Sequence, residues 1–152
     1  MKLQQAVPDF SIPSSQDEEL RLKDLKGQKV VLYFYPKDNT PGCSIQAQEF
    51  NKLLPQFKKI NARVFGISRD SLKSHDKFIT KFDLKFPLLS DEDEKLCELF
   101  DVIKEKNMYG KKVMGIERST FVIDEKGKLV GEFRKVKAEG HAKEILDFVR
   151  TL

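Results

Sequence analysis

Residues 29–35 (KVVLYFY) hold the longest apolar run, rich in β-branched and aromatic side chains. With no polar position alternating through it, it predicts a strand buried on both faces, as at the centre of an α/β sheet. Ahead of it, residues 8–27 carry Pro8, Pro13, a polar cluster at 14–19 and Gly27. That pattern predicts a short hairpin or an extended lead-in. Behind it, residues 36–42 (PKDNTPG) are dense in turn formers and end the strand. Ile45, Phe50, Leu53, Leu54, Phe57 and Ile60 then recur near helical spacing. Pro55 falls inside that helix and is expected to kink or break it.

Residues 63–68 (RVFGIS) predict a second strand, and 71–82 a helix with Ser71 as N-cap. A short strand is expected over 86–89, then a helix over 91–100 with acids in its first turn. Residues 104–115 (KEKNMYGKKVMG) are polar and predict an exposed loop, open to use as a flap. Residues 119–124 and 128–133 flank Glu125-Lys126-Gly127 as a hairpin, with Gly127 free to take positive φ. Residues 138–152 close the chain as a helix. The order is β-α-β, an excursion, then β-β-α. It implies a parallel strand pair with a right-handed crossover, followed by an antiparallel hairpin and a covering helix. This is the thioredoxin-like plan, an α/β fold with a central mixed sheet flanked by helices.

Length and composition fit that plan. A chain of 152 residues suits one domain, 1–152, and buries enough surface to need no disulfide or metal. No repeat or low-complexity tract appears. The longest apolar run is six residues, far short of the roughly 20 that a membrane helix needs. The start of the chain (MKLQQAVPDF) lacks the apolar stretch of a signal peptide. Two cysteines are no disulfide framework, so a reducing cytoplasm is expected. The net charge of +4 lies wholly in residues 102–152, yet acids interleave with the bases throughout. That reads as a solvated surface rather than a nucleic-acid face. His75 and His141 form no close ligand pair with either cysteine and read as surface residues, so no metal site or cofactor is expected.

The candidate chemistry follows the central strand, because open α/β sheets place sites at the carboxyl ends of strands. Cys43 lies where the loop enters a helix. There the free N–H groups and the dipole favour thiolate, the nucleophilic form. Thr40 is near enough for its hydroxyl to bond the sulfur or an atom attacking it. Pro36 and Pro41 stiffen the loop. Asp38 and Asn39 read as turn residues. The same pattern also suits Cys43 as a small buried apolar residue, and spacing alone does not separate the two readings.

The run Pro36-x-x-x-Thr40-x-x-Cys43 resembles the active-site signature of the peroxiredoxins, thiol peroxidases on a thioredoxin-like fold. The fuller run YPKDNTPGCSIQAQEF is similar to the bacterioferritin comigratory protein, or peroxiredoxin Q, group. So are the lead-in AVPDFSIPSSQDEELRLKDLKGQKVV and the later FPLLSDEDEKLCELFDV and GIERSTFVIDEKGKLV. The resemblance implies a peroxidatic Cys43 that reduces hydrogen peroxide or a small organic hydroperoxide and becomes a sulfenic acid. It implies Arg118 as the cation that completes the site, Thr40 and the Cys43 N–H as further donors, and Pro36 as a shield for the sulfur. It also implies Gln46, one turn along the helix, as the partner that holds Arg118.

The sequence departs from that group in its second thiol. Members carry a resolving cysteine five or about 36 residues after the peroxidatic one, and those positions here are Gln48 and Ile79. Cys97, the only other thiol, follows Cys43 by 54 residues and reads as a core thiol on a helix. The expectation is therefore a one-Cys mechanism. Its reductant would be an external thiol, such as thioredoxin or glutaredoxin with glutathione, with Cys97 as the alternative resolving thiol. A monomer is expected, or a weak dimer through the loops around the site. Two other readings remain open: a peroxide-oxidised sensor or binding module using the same thiol, and a dithiol oxidoreductase of thioredoxin type. The latter lacks its C-x-x-C, because Ser44, Ile45 and Gln46 follow Cys43.

Overall fold

A computed structural model describes residues 1–16 and 19–152, so residues 17 and 18 of the polar cluster at 14–19 lie outside the described residues. The lead-in is an antiparallel hairpin of β1 (Ser11–Pro13) and β2 (Glu19–Arg21), followed by a 3-10 turn over Leu22–Leu25. Five strands make the central sheet: β3 (Lys29–Phe34), β4 (Ala62–Ser68), β5 (Leu88–Ser90), β8 (Ser119–Ile123) and β9 (Leu129–Phe133). Their order is β5-β4-β3-β8-β9. β3, β4 and β5 run parallel, β8 runs antiparallel to β3 and β9 antiparallel to β8, so the sheet is mixed as expected. The helices are α1 (Pro41–Lys59), α2 (Leu72–Phe82), α3 (Lys95–Leu99) and α4 (His141–Val149).

β3 explains its own sequence. Its side chains alternate between two cores, Val30, Leu32 and Phe34 in one and Val31, Tyr33 and Tyr35 in the other. Both faces are covered, so no position can be polar. The Val31 face packs against Phe50, Leu54 and Phe57 of α1 and Ile145, Leu146 and Val149 of α4. The Val30 face packs against Leu22, Leu25, Leu96 and Phe100. Cys43 belongs to the first core and Cys97 to the second, so the two thiols lie on opposite faces of the sheet.

Four expectations are corrected. Residues 104–115 are not a loop but most of a hairpin of β6 (Ile103–Met108) and β7 (Lys111–Ile116). Tyr109 and Gly110 both take positive φ, the signature of a tight two-residue turn. Among the described residues the hairpin buries only its last two positions, so it needs no apolar alternation. Pro55 does not end α1. It lies on the exposed face of a helix that runs on to Lys59. The helix expected over 91–100 begins only at Lys95, because Glu94 sits in the left-handed region at φ 62. Asp91 instead accepts from the amides of Leu96 and Cys97, doing a cap's work from outside the helix. His75 and His141 are buried rather than at the surface, and both ring nitrogens of each have partners, His141 Nδ1 reaching the exposed Glu144. Ser71 caps α2 by accepting from the Ser74 amide, and Gly127 takes φ 85, both as expected.

Candidate active site

The loop is built to turn the chain sharply from strand to helix. The Tyr35 amide still bonds the Ile67 carbonyl, so the sheet holds the chain up to Pro36. Asn39 takes φ 59, which a short polar side chain tolerates. Thr40 is extended at the N-cap, and Pro41 takes the first helical position, where its missing N–H costs nothing. Cys43 is the third helical residue. The first amide that bonds back inside the helix is Ser44, to the Thr40 carbonyl at 2.8 Å. The Gly42 and Cys43 amides belong to the helix's unpaired first turn.

Arg118 reaches this turn from the short link between β7 and β8. The link is pinned by the Glu117 amide on the Val102 carbonyl and by the Val136 amide on the Arg118 carbonyl. The Arg118 Nη2 stands 3.5 Å from the Cys43 Sγ, and its Nη1 donates to Gln46 Oε1 at 2.5 Å. The fork thus spans sulfur and amide at once, which a lysine ammonium cannot do. Gly42 is fitted to this cation: a Cβ there would stand 3.2 Å from Arg118 Nη2. Cys43 itself is 1% exposed. Half-buried Pro36 and Arg118 line a recess with Lys104, Lys106, Lys135 and Val136. Burial, and after it the Arg118 charge, lowers the Lys106 pKa below its ordinary value.

The structure brings Cys43, Gln46 and Arg118 together, and Pro36 lines a recess with Arg118. Thr40 is placed differently from expectation. Its hydroxyl donates to the Lys37 carbonyl at 2.9 Å rather than to the sulfur, so its lone pairs are what it can offer an incoming O–H. Asp38 is also more than a turn residue. It is buried and accepts from the Tyr35 hydroxyl, the Ser74 hydroxyl and His75 Nδ1. The signal for His75 was its place one turn before Phe78 on the buried stripe of α2. Beneath the site the Tyr33 hydroxyl and Gln46 Nε2 are buried without partners among the described residues. Burial, then the nearby Cys43 and Asp38, raises the Tyr33 pKa well above the ordinary phenol value.

Cys97 does not join this group. It is fully buried, and burial followed by its hydrogen bond to Asp91 pushes its pKa far up. Among the described residues no three His, Cys, Asp or Glu side chains gather so as to hold a metal ion. No helix among them is long and apolar enough to cross a membrane.

Residues 3–131 match the model of the AhpC/TSA family. The chain is 51% identical over 146 residues to peroxiredoxin Bcp of Xanthomonas campestris, covering 96% of this chain and 91% of that one. It is 44% identical over 152 residues to peroxiredoxin Bcp of Bacillus subtilis, covering 100% of this chain and 97% of that one. Among solved structures it resembles a cysteine-to-serine mutant of Xylella fastidiosa PrxQ, with a TM-score of 0.94 and 49% identity. That match covers 99% of this chain and 96% of that one. The X. campestris bacterioferritin comigratory protein, studied as trapped intermediate and ligand complexes for its alkyl peroxide reduction, matches with a TM-score of 0.91 and 49% identity. The shares covered are again 99% and 96%.

Proposed function

The chain belongs to the AhpC/TSA family, among its Bcp or peroxiredoxin Q thiol peroxidases, and from that premise we propose that Cys43 is the peroxidatic thiol, served by Arg118, Thr40, Pro36 and Gln46. The observation that carries the assignment is the Arg118 fork, with one nitrogen 3.5 Å from Cys43 Sγ and the other anchored on Gln46. The substrates are hydrogen peroxide and small alkyl hydroperoxides, the latter in keeping with the X. campestris relative.

The reaction balances simply. The Cys43 thiolate attacks one peroxide oxygen, the S–O bond forms, and the O–O bond breaks. The bonding pair leaves on the far oxygen, which takes up a proton to become water or an alcohol. The Thr40 lone pairs accept the peroxide O–H and orient it. The Cys43 N–H and the Arg118 guanidinium face the oxygen on which charge develops. Pro36 limits access of water to the sulfur.

A one-Cys cycle follows. Gln48 and Ile79 stand where group members carry resolving cysteines, and Cys97 is buried across the sheet. One external thiol converts the sulfenic acid to a mixed disulfide and water. A second releases Cys43 and leaves an external disulfide. Thioredoxin, or glutaredoxin with glutathione, would supply these thiols in a reducing cytoplasm. The reading takes the 152 residues as one domain acting as a monomer, or a weak dimer through the loops around the site.

The test is intact mass after one equivalent of hydrogen peroxide, with dimedone in a parallel tube. A dimedone adduct on Cys43 without a disulfide is expected. Loss of two hydrogens mapped to Cys43 and Cys97 would overturn the one-Cys cycle. Repeated peroxide consumption with added thiol separates an enzyme from a sensor that oxidises once. Retained turnover in Cys43→Ser would defeat the assignment of the thiol.

A further inference from the structure

The densest buried polar cluster outside the sulfur's own contacts lies under the loop at residues 36–40. Asp38 and His75 are 3% and 0% exposed in their side chains and meet at 2.7 Å. His75 Nδ1 donates to Asp38 Oδ2, and its Nε2 donates to the Leu89 carbonyl of β5 at 2.9 Å. A carbonyl can only accept, and both oxygens of Asp38 face donors, from Tyr35, Ser74 and His75. The ring thus bridges the loop and β5 through both of its nitrogens. The Asp38 amide is held as well, donating to Asp70 Oδ2 at 2.8 Å, while Asp70 accepts from the Ser68 hydroxyl at 2.7 Å.

We propose that Asp38 and His75 form a latch. The pair holds the loop and the first turn of α1 in the conformation that presents Cys43 to peroxide, and its release lets that turn open to the external thiol. The proposal rests on the reading of Cys43 as the peroxidatic thiol.

The need for opening is steric. Cys43 is 1% exposed, and a thiol that attacks its sulfenic sulfur must approach in line with the S–O bond. A protein-sized donor cannot do so at a buried sulfur, so the turn must move. Apart from the Arg118 contact to Cys43 Sγ, the turn's own residues hold it weakly. The N-cap Thr40 makes no side-chain cap bond, Pro41 offers no N–H, and Gly42 has no side chain to pack. Asp38 ties the loop to α2 through Ser74 and His75 and, through His75, to β5, while Asn39 takes a second, exposed tie to α2 from Lys81. A hydrogen-bonded polar pair also suits a device that must open and reclose. Leaving its groups unpaired in the core is costly, but letting water reach them restores their hydrogen bonds. An apolar plug recovers nothing.

Two substitutions of His75 separate a latch from a merely structural residue. Asn places its amide near the position of Nδ1 and keeps a donor for Asp38. Gln reaches toward the position of Nε2, keeps the bond to Leu89 and loses Asp38. Hydrogen exchange is read at the Asp38 and Ser44 amides, with amides of β3 and β4 as reference. Oxidation of Cys43 by peroxide and reduction of its sulfenic form by a small thiol are timed separately.

In His75→Gln the loop amides are expected to exchange roughly 10- to 100-fold faster with the reference unchanged. Oxidation slows several-fold and sulfenic reduction does not, while His75→Asn stays near the parent. Equal loop exchange in the two variants, or faster exchange in loop and reference together, would overturn the latch. If His75→Gln does not fold, Ser74→Ala removes another donor from the same Asp38 oxygen. It should speed loop exchange by a smaller factor, and unchanged exchange overturns the proposal. Cys43→Ser with retained turnover would defeat the peroxidatic reading but leave the exchange result standing.

Discussion

Replacing Arg118 by Met removes the one cation that, among the described residues, touches the sulfur, while keeping a side chain of similar length. At 3.5 Å from Cys43 Sγ, a unit charge interacts with a unit charge by about 4–5 kcal/mol at an effective dielectric of about 20. That is a ceiling. The guanidinium spreads its charge, Arg118 is only half-buried, and Lys106 remains in the recess. Roughly half the ceiling, about 2–3 kcal/mol, should be lost from the transition state, a fall of about a hundredfold in the rate of Cys43 oxidation. Arg118→Lys keeps the charge but cannot hold both the sulfur and Gln46, so it should fall between the two, about tenfold below the parent.

The assay is stopped-flow oxidation of the reduced protein by hydrogen peroxide, with a urea titration of each variant as control. The reasoning predicts a large rate loss with a small stability loss, because Arg118 lies at the rim of the core. A rate for Arg118→Met within about threefold of the parent would refute the role of the guanidinium, since that gap is less than about 1 kcal/mol. A rate loss matched by a comparable loss of stability would refute it too, by making Arg118 a structural residue.

Three further outcomes follow from the geometry. Gln46→Leu frees Arg118 from its anchor but also removes a buried Nε2 that has no partner, so oxidation should slow about tenfold while the urea midpoint holds or rises; a lower midpoint would contradict this. Cys97→Ala should turn over with an external thiol at the parental rate. It should also flatten the alkaline loss of stability: the fold holds Cys97 protonated, whereas the unfolded thiol ionises near pH 8.5, so stability is complete below that value and declines above it by up to about 1.4 kcal/mol per pH unit. Urea midpoints across that range check the slope, and parallel slopes in parent and variant would refute it; Tyr33 and Tyr35, both raised, add the same sign higher up in each protein. Gly66→Ala would put a Cβ 2.7 Å from Leu88 Cδ2 and 2.9 Å from the Tyr33 ring, and should cost about 1–3 kcal/mol in a urea titration; an unchanged midpoint would show that this packing can yield.

What the chain reveals unaided follows from what each segment buries. β3 was legible because both its faces are covered, which forbids polar positions. The start of α1 was legible because a proline-bracketed turn leaves few ways to enter a helix. The β6–β7 hairpin was not, because a ribbon with most of its positions in water selects no apolar alternation. Only its Tyr109-Gly110 turn bears a local mark. Asp38 and His75 were hidden for the opposite reason. They are polar and buried, and what they satisfy is each other across 37 residues, which no local pattern encodes. Arg118 and Gln46 were reached through resemblance, and their contact spans 72 residues.

The most consequential thing the sequence conceals is a parity. Side chains of β3 point alternately to the two faces of the sheet, and the segments carrying the thiols pack on opposite faces. Separation along the chain, 54 residues between Cys43 and Cys97, says nothing of this. A disulfide needs its two Cα atoms within about 7 Å, whereas stacked layers of a fold lie about 10 Å apart. Joining these thiols would therefore require one of them to leave its core and pass around the edge of the sheet. Opening the first turn of α1 is the smaller disruption, and it would expose Cys43 toward solvent, the side from which an external thiol would approach.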